Sequence, residues 1–231
     1  LPVFINRQEN SIIVISVGCT DNGQNKRARK VVVNFSPGSD IEAVGEVYVK
    51  CQASGQAGAV VFGAARAERK VTIDGDYQFR AGENLITLGI SPSSVSELTD
   101  KLEVESVSII LEDGSVLPAP TVSFPRVRFG TVVRAAGQDG ADTYRIPGLV
   151  TTNEGTLIAV YDIRYNNSKD LQEDIDIGMS RSTDGGRTWE PMKVIMDMGE
   201  YGGLPQNLNG IGDPCILYDH TTGTLWVAAL W

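Results

Sequence analysis

With 231 residues, 42% hydrophobic and 21% charged, the chain has an ordinary globular composition and room for one large domain or two small ones. A formal net charge of −9 argues against a nucleic-acid partner, which rewards basic surfaces, and would repel an anionic ligand at long range unless a local cluster of arginines receives it. No apolar run reaches the roughly 20 residues of a membrane span, and one histidine with three cysteines lacking CxxC spacing leaves no zinc set. Leu1 is not an initiator methionine and no charged-then-apolar leader precedes it, so the chain reads as a mature or trimmed product.

In chain order, β-branched runs predict strands at 3–5, 12–17, 31–35, 44–49, 60–62, 71–73, 85–88 and 107–111. Asn22-Gly23, Pro37-Gly38, Asp74-Gly75 and Asp113-Gly114 read as turns between them. Residues 94–102 make at most a short helical turn. Short strands with regular turns suggest a β-sandwich. Cys19, Cys51 and Cys215, an odd set, read as small buried hydrophobes with at most one bridge, between Cys19 and Cys51.

Leu117-Pro118-Ala119-Pro120 and Pro125 interrupt the pattern, since prolines cannot join a central ladder. The boundary is therefore expected after residue 120, giving domains 1–120 and 121–231. Strands at 146–150, 156–161, 176–181 and 192–196 would form a four-stranded meander, the size of one propeller blade. Strands at 216–218 and 224–230 would begin a second blade, with His220 in the turn between them. A propeller protects its edges by closing into a ring. One and a half blades would leave an open edge at 226–231, so the expectation is a fragment, or a chain completed by a second polypeptide or a missing C-terminal part.

Two motifs carry the functional reading. Tyr144-Arg145-Ile146-Pro147 stands upstream of Ser182-Thr183-Asp184-Gly185-Gly186-Arg187-Thr188-Trp189. The second segment matches the Asp-box, Ser-x-Asp-x-Gly-x-Thr-Trp, at every defined position, and the first resembles the (Y/F)RIP motif. In this order, about one blade apart, the pair resembles the N-terminal part of the bacterial exo-α-sialidase (neuraminidase) catalytic domain, from near Arg126 onward. The resemblance implies an all-β fold class: an N-terminal β-sandwich followed by the first blades of a six-bladed β-propeller.

Hydrolysis of a sialoside needs a cationic clamp for the sugar carboxylate, a proton donor for the leaving oxygen and a nucleophile for the anomeric carbon. Guanidinium binds carboxylate in a bidentate geometry that lysine cannot copy. Arg145 matches the family arginine that does so. Tyr161-Asp162-Ile163-Arg164 resembles the strand end that leads into the acid/base loop, and the family's spacing from the RIP arginine, here Arg145, implies Asp170 as the catalytic acid/base candidate, with Asp174 and Asp176 as competitors. Arg164 and Asp213 match residues that contact the sugar. The Asp-box residues Ser182, Asp184, Gly186, Thr188 and Trp189 are structural by the same resemblance, away from the active site.

Retaining sialidases use a tyrosine nucleophile assisted by a glutamate, late in the family's sequences. Tyr144, Tyr161, Tyr165, Tyr201 and Tyr218 fall too early to match, so this chain alone is expected to be inactive. The resemblance implies removal of terminal α-linked sialic acids from glycoproteins, glycolipids and oligosaccharides, without metal or organic cofactor. It also implies a periplasmic, cell-surface or secreted location. The alternative reading is a non-catalytic sialoglycan-binding protein. Domain 1–120 would be a carbohydrate-binding-module-like or spacer domain; aromatic platforms are sparse there, which favours the spacer.

Overall fold

A computed structural model describes residues 2–20, 26–118, 126–170 and 173–231, and every described element longer than three residues is a strand. The chain divides into two compact units, Leu1–Thr131 and Val132–Trp231.

The first unit contains β1 (Val3–Phe4), β2 (Asn10–Cys19), β3 (Arg27–Phe35), β4 (Val44–Ala53), β5 (Val60–Arg66), β6 (Lys70–Gln78), β7 (Gly82–Pro92), β8 (Lys101–Leu102), β9 (Val104–Leu111), β10 (Val116–Pro118) and β11 (Val127–Gly130). Two four-stranded sheets, ordered β2-β7-β4-β5 and β10-β9-β3-β6, are joined by a small β1-β11-β8 sheet. Alternation of period two supplies the core: Val31 and Val33 of β3, Val47, Val49 and Cys51 of β4, and Ile86, Leu88 and Ile90 of β7 all point inward. Each strand expected from the β-branched runs is present.

Several local expectations change. Asp74-Gly75 is not a turn but lies inside β6, where a Cβ on Gly75 would come within 2.5 Å of Phe62 on β5. The glycine admits a neighbouring side chain rather than a reversal of the chain. Residues 94–102 hold two turns and then β8, with no helical turn. Cys19 and Cys51 are buried as expected, whereas Cys215 is exposed rather than buried. A Cys19–Cys51 bridge is geometrically closed off, because β2 and β4 flank β7 and so lie about 9.5 Å apart, beyond the roughly 7 Å reach of a disulfide. The unit extends past residue 120 to Thr131, because β11 pairs with both β1 and β8. Asn22-Gly23, Ala119-Pro120 and Pro125 lie outside the described residues.

The second unit holds β12 (Thr143–Thr151), β13 (Leu157–Arg164), β14 (Ile175–Ser182) and β15 (Lys193–Met196) as an antiparallel meander in that order, then a hairpin of β16 (Gly212–Asp219) and β17 (Thr224–Leu230). β13 is covered on both faces. One face, Ala159, Tyr161 and Ile163, packs with Ala141, Tyr144, Trp189 and Met192. The other presents Val160, which clusters with Ile177, Ile211, Ile216 and Val227. By the same alternation Asp162 and Arg164 follow Val160 on that second face. His220 sits in the β16–β17 turn, its Nδ1 2.8 Å from Asn153 Oδ1.

Candidate active site

Two broken strands frame the site. The β12–β13 register slips between Arg145 and Gly148, and Ile146 takes φ 51°. The β16–β17 register slips between Gly212 and Cys215, and Asp213 takes φ 55°. Both residues precede a proline, Pro147 and Pro214. A left-handed φ is uncommon outside glycine and a genuine outlier for β-branched isoleucine, and a following proline favours extended backbone instead. Such strain persists only where surrounding structure over-determines it, and bulges of this kind re-aim side chains out of the ladder's alternation.

Between these bulges, β13 delivers a buried ion pair. Asp162 is 0% exposed and Arg164 1%. Arg164 Nε and Nη2 donate to Asp162 Oδ2 at 3.1 and 2.7 Å. Its Nη1 donates to Ser168 O at 2.9 Å, Lys169 O at 2.7 Å and Asp170 Oδ1 at 2.8 Å. Arg145 Nη1 donates to the same Asp170 oxygen at 2.9 Å and to Ser168 O at 3.0 Å. Asp213 joins through its backbone amide, which donates to Asp162 Oδ1 at 2.9 Å. The four candidate residues Arg145, Arg164, Asp170 and Asp213 are thus linked in one network. Arg164 is enclosed, whereas the Arg145 and Asp170 side chains are 42% and 69% exposed and open to a ligand.

The charges follow from these contacts. The hydrogen bond from Arg164, reinforced by the Arg145 charge, holds the Asp170 carboxyl below the usual carboxylate range. Burial pushes the Asp162 carboxyl up, against the opposing pull of Arg164 and the Asp213 amide. Burial works against the Arg164 charge, but hydrogen bonds to Asp162 and Asp170 outweigh it and raise its pKa.

The competing carboxylates lie elsewhere. Asp174 accepts from Gln206 Nε2 at 3.3 and 3.2 Å. Asp176 pairs across the sheet with Ile163, on the face opposite Asp162 and Arg164, and accepts the Tyr165 hydroxyl at 2.9 Å. Burial, with the Asp197 and Asp174 charges adding, pushes Asp176 up to about 6. A carboxyl raised on folding favours the protonated folded state, so its cost is absent below the unfolded pKa near 4 and complete above about pH 6. Asp176→Asn, which still accepts from Tyr165, is therefore expected to stabilise the unit by roughly 1–3 kcal/mol at pH 7 and by little at pH 4. Urea midpoints at the two pH values measure this; an equal change at both would refute it.

The Asp-box closes the β14–β15 turn. Ser182 Oγ donates to Asp184 Oδ1 at 2.8 Å and accepts the Gly186 amide at 2.9 Å. Asp184 also accepts the Thr188 amide at 3.0 and 3.1 Å and the Thr188 hydroxyl at 2.6 Å, bonds that hold its carboxyl far below the usual range. Gly185 and Gly186 supply φ 72° and 91°, and Trp189 packs on the Ala159–Tyr161–Ile163 face. Because Leu157 pairs with Ser182 while Arg164 pairs with Ile175, the box and the arginine network occupy opposite ends of β13, on the order of 20 Å apart at the usual strand rise. The residue that the sequence reading left without a role is Asp162, although its i, i+2 spacing from Arg164 on a strand places both on one face.

No protein-family model matches the chain. A Bacteroides fragilis sialidase is 36% identical over 262 residues, an alignment covering all of this chain and 47% of that protein. A Micromonospora viridifaciens sialidase is 39% identical over 90 residues, 39% of this chain and 13% of that one. Among solved structures, a Hadza microbial sialidase, Hz136, superposes with a TM-score of 0.82 at 33% identity, covering 99% of this chain and 49% of that one. The chain thus spans about half the length of the relatives it matches along its whole course. The all-β architecture, the paired motifs and these likenesses agree that the chain belongs to the sialidase family.

Proposed function

We propose that the full-length protein is an exo-α-sialidase, hydrolysing terminal α-linked sialic acids from glycoconjugates with retention of configuration. The observation that carries this reading is the exposed Arg145 guanidinium paired with Asp170, with Arg164 buried behind both. Arg145 takes the sugar carboxylate, giving an acidic protein the local positive charge that an anionic ligand needs. Asp170 protonates the departing glycosidic oxygen and later activates water, and Asp213 contacts the sugar, while Arg164, enclosed behind Asp170, holds that carboxylate in place rather than touching the sugar itself. Since Asp170 itself rests on Arg145, a sugar carboxylate that reaches this guanidinium displaces it. Release from that charge, together with desolvation under the substrate, raises the Asp170 pKa toward that of a working acid. The nucleophile in this scheme is a tyrosine outside the present residues.

The first unit serves as a spacer for the catalytic domain, with glycan binding as the competing role. Substrates of this class place the protein in the periplasm, on the cell surface or outside the cell. The test is incubation of the full-length protein with sialyllactose, followed by proton NMR. Early appearance of the α-anomer of free sialic acid supports the proposal. Binding of sialyllactose without cleavage would replace it with the non-catalytic sialoglycan-binding reading, and the β-anomer appearing first would overturn retention.

A further inference from the structure

We propose that Asp162 is a positioning residue, whose buried carboxylate holds the Arg164 side chain on one oxygen and the Asp213 backbone on the other, and so sets the two sides of the candidate sugar site relative to each other. The assignment of a sugar to that site rests on the sialidase reading above; the positioning geometry is carried by contacts within the second unit.

On the face of β13 that carries it, Asp162 follows Val160 and lies opposite Ile177 on β14, both fully buried. A charged pair there interrupts an otherwise apolar pattern. Burying such a pair gives little net stability, because desolvation offsets the attraction, so its presence calls for another explanation. The contacts provide one. Oδ2 takes two of the three Arg164 nitrogens, which leaves Nη1 alone to face Ser168, Lys169 and Asp170. A guanidinium gripped through Nε and Nη2 cannot turn about its own axis, so the direction of Nη1 is set by Asp162.

The other oxygen solves a separate problem. Between Gly212 and Cys215 the β16–β17 ladder slips, and a buried backbone N–H that leaves a ladder must find another partner. The Asp213 amide finds Asp162 Oδ1, across 51 residues of sequence. That bond holds Asp213 in its left-handed conformation. The charged groups facing Asp162 are Arg145, opposite it on β12, Arg164 on its own strand, and Asp213 on β16; Asp170 lies beyond Arg164.

Asp162→Asn in the present chain tests the proposal. Asparagine keeps the shape but replaces one acceptor oxygen with a donor, so it cannot serve both Arg164 and the Asp213 amide. NMR hydrogen exchange is expected to show protection lost by about tenfold or more at Arg164 Nε–H or at the Asp213 amide, the ratio expected when a hydrogen bond to a charged group is lost. A carbon-13 titration reads the consequence at Asp170. Removing the Asp162 charge by itself would lower the Asp170 pKa, so a rise toward the ordinary carboxylate value requires that Arg164 has moved. A rise supports positioning; an unchanged or lowered value with Arg164 still protected overturns it.

Should the variant not fold, the unaltered chain serves. As pH falls, protection at Arg164 Nε–H and at the Asp213 amide is expected to be lost over one interval while the β13–β14 ladder stays protected. Loss at separate pH values would overturn the proposal. Neither readout uses catalysis, so failure to cleave a sialoside refutes the functional reading without touching this one.

Discussion

Arg164→Met is expected to destabilise the second unit by about 3–5 kcal/mol, the cost of leaving a buried partner charge uncompensated. Methionine approximates the length of the arginine stem but provides nothing for Asp162 Oδ2, and Ser168 O, Lys169 O and Asp170 lose the Nη1 donor as well. The measurement is straightforward because Trp189, Trp226 and Trp231 all fall within Val132–Trp231, so tryptophan emission during urea unfolding reports that unit. Adding Asp162→Asn removes the orphaned charge and is expected to recover most of the loss, since pairs in contact are non-additive. A midpoint unchanged in Arg164→Met would show that the pair contributes nothing, and failure of the double variant to recover would place the cost in packing.

In the full-length protein, under the proposed function, Asp170→Asn is expected to lower kcat for natural sialosides by about 10²–10⁴, the usual contribution of a positioned proton donor. Asparagine fills the same volume and its carbonyl oxygen still accepts from Arg164 and Arg145, so the clamp geometry is retained. The comparison that isolates the role uses an aryl sialoside whose phenolate departs without protonation. Glycosylation by that substrate is expected to be far less affected than cleavage of sialyllactose, while the later attack of water still suffers from loss of the base. An equal loss in the first step for both substrates would assign Asp170 to the carboxylate clamp rather than to proton transfer.

Asp170 also shows that a candidate can be singled out by its place in the chain while its contacts cannot. Its distance in sequence from Arg145, read through the family resemblance, singled it out from Asp174 and Asp176 as the candidate. Contact geometry then separated the three: Asp170 touches both arginines, whereas Asp176 lies on the far face of the sheet with Tyr165. That Asp170 rests directly on Arg145 could not be inferred from spacing, because a loop's course depends on what its ends pack against.

The longer strands and the family resemblance are legible in the sequence alone. β-branched runs with period-two alternation depend only on near neighbours, and they placed the strands of both units apart from the short β8, β10 and β11; the two motifs, each a few residues long, identified the sialidase resemblance. Tertiary structure decided whatever depends on distant partners. Asp74-Gly75 had the composition of a turn, yet the glycine is needed because Phe62 approaches β6. The first unit extends to Thr131 because β11 finds β1 at the opposite end of that unit's sequence. Asp162 looked like an ordinary strand residue until burial and an amide 51 positions away gave its carboxylate two partners. Local pattern follows from the backbone's own periodicity, but the partner of a buried charge is chosen by the fold, since a charge removed from water must be paired wherever the chain brings a counter-charge or a donor to it.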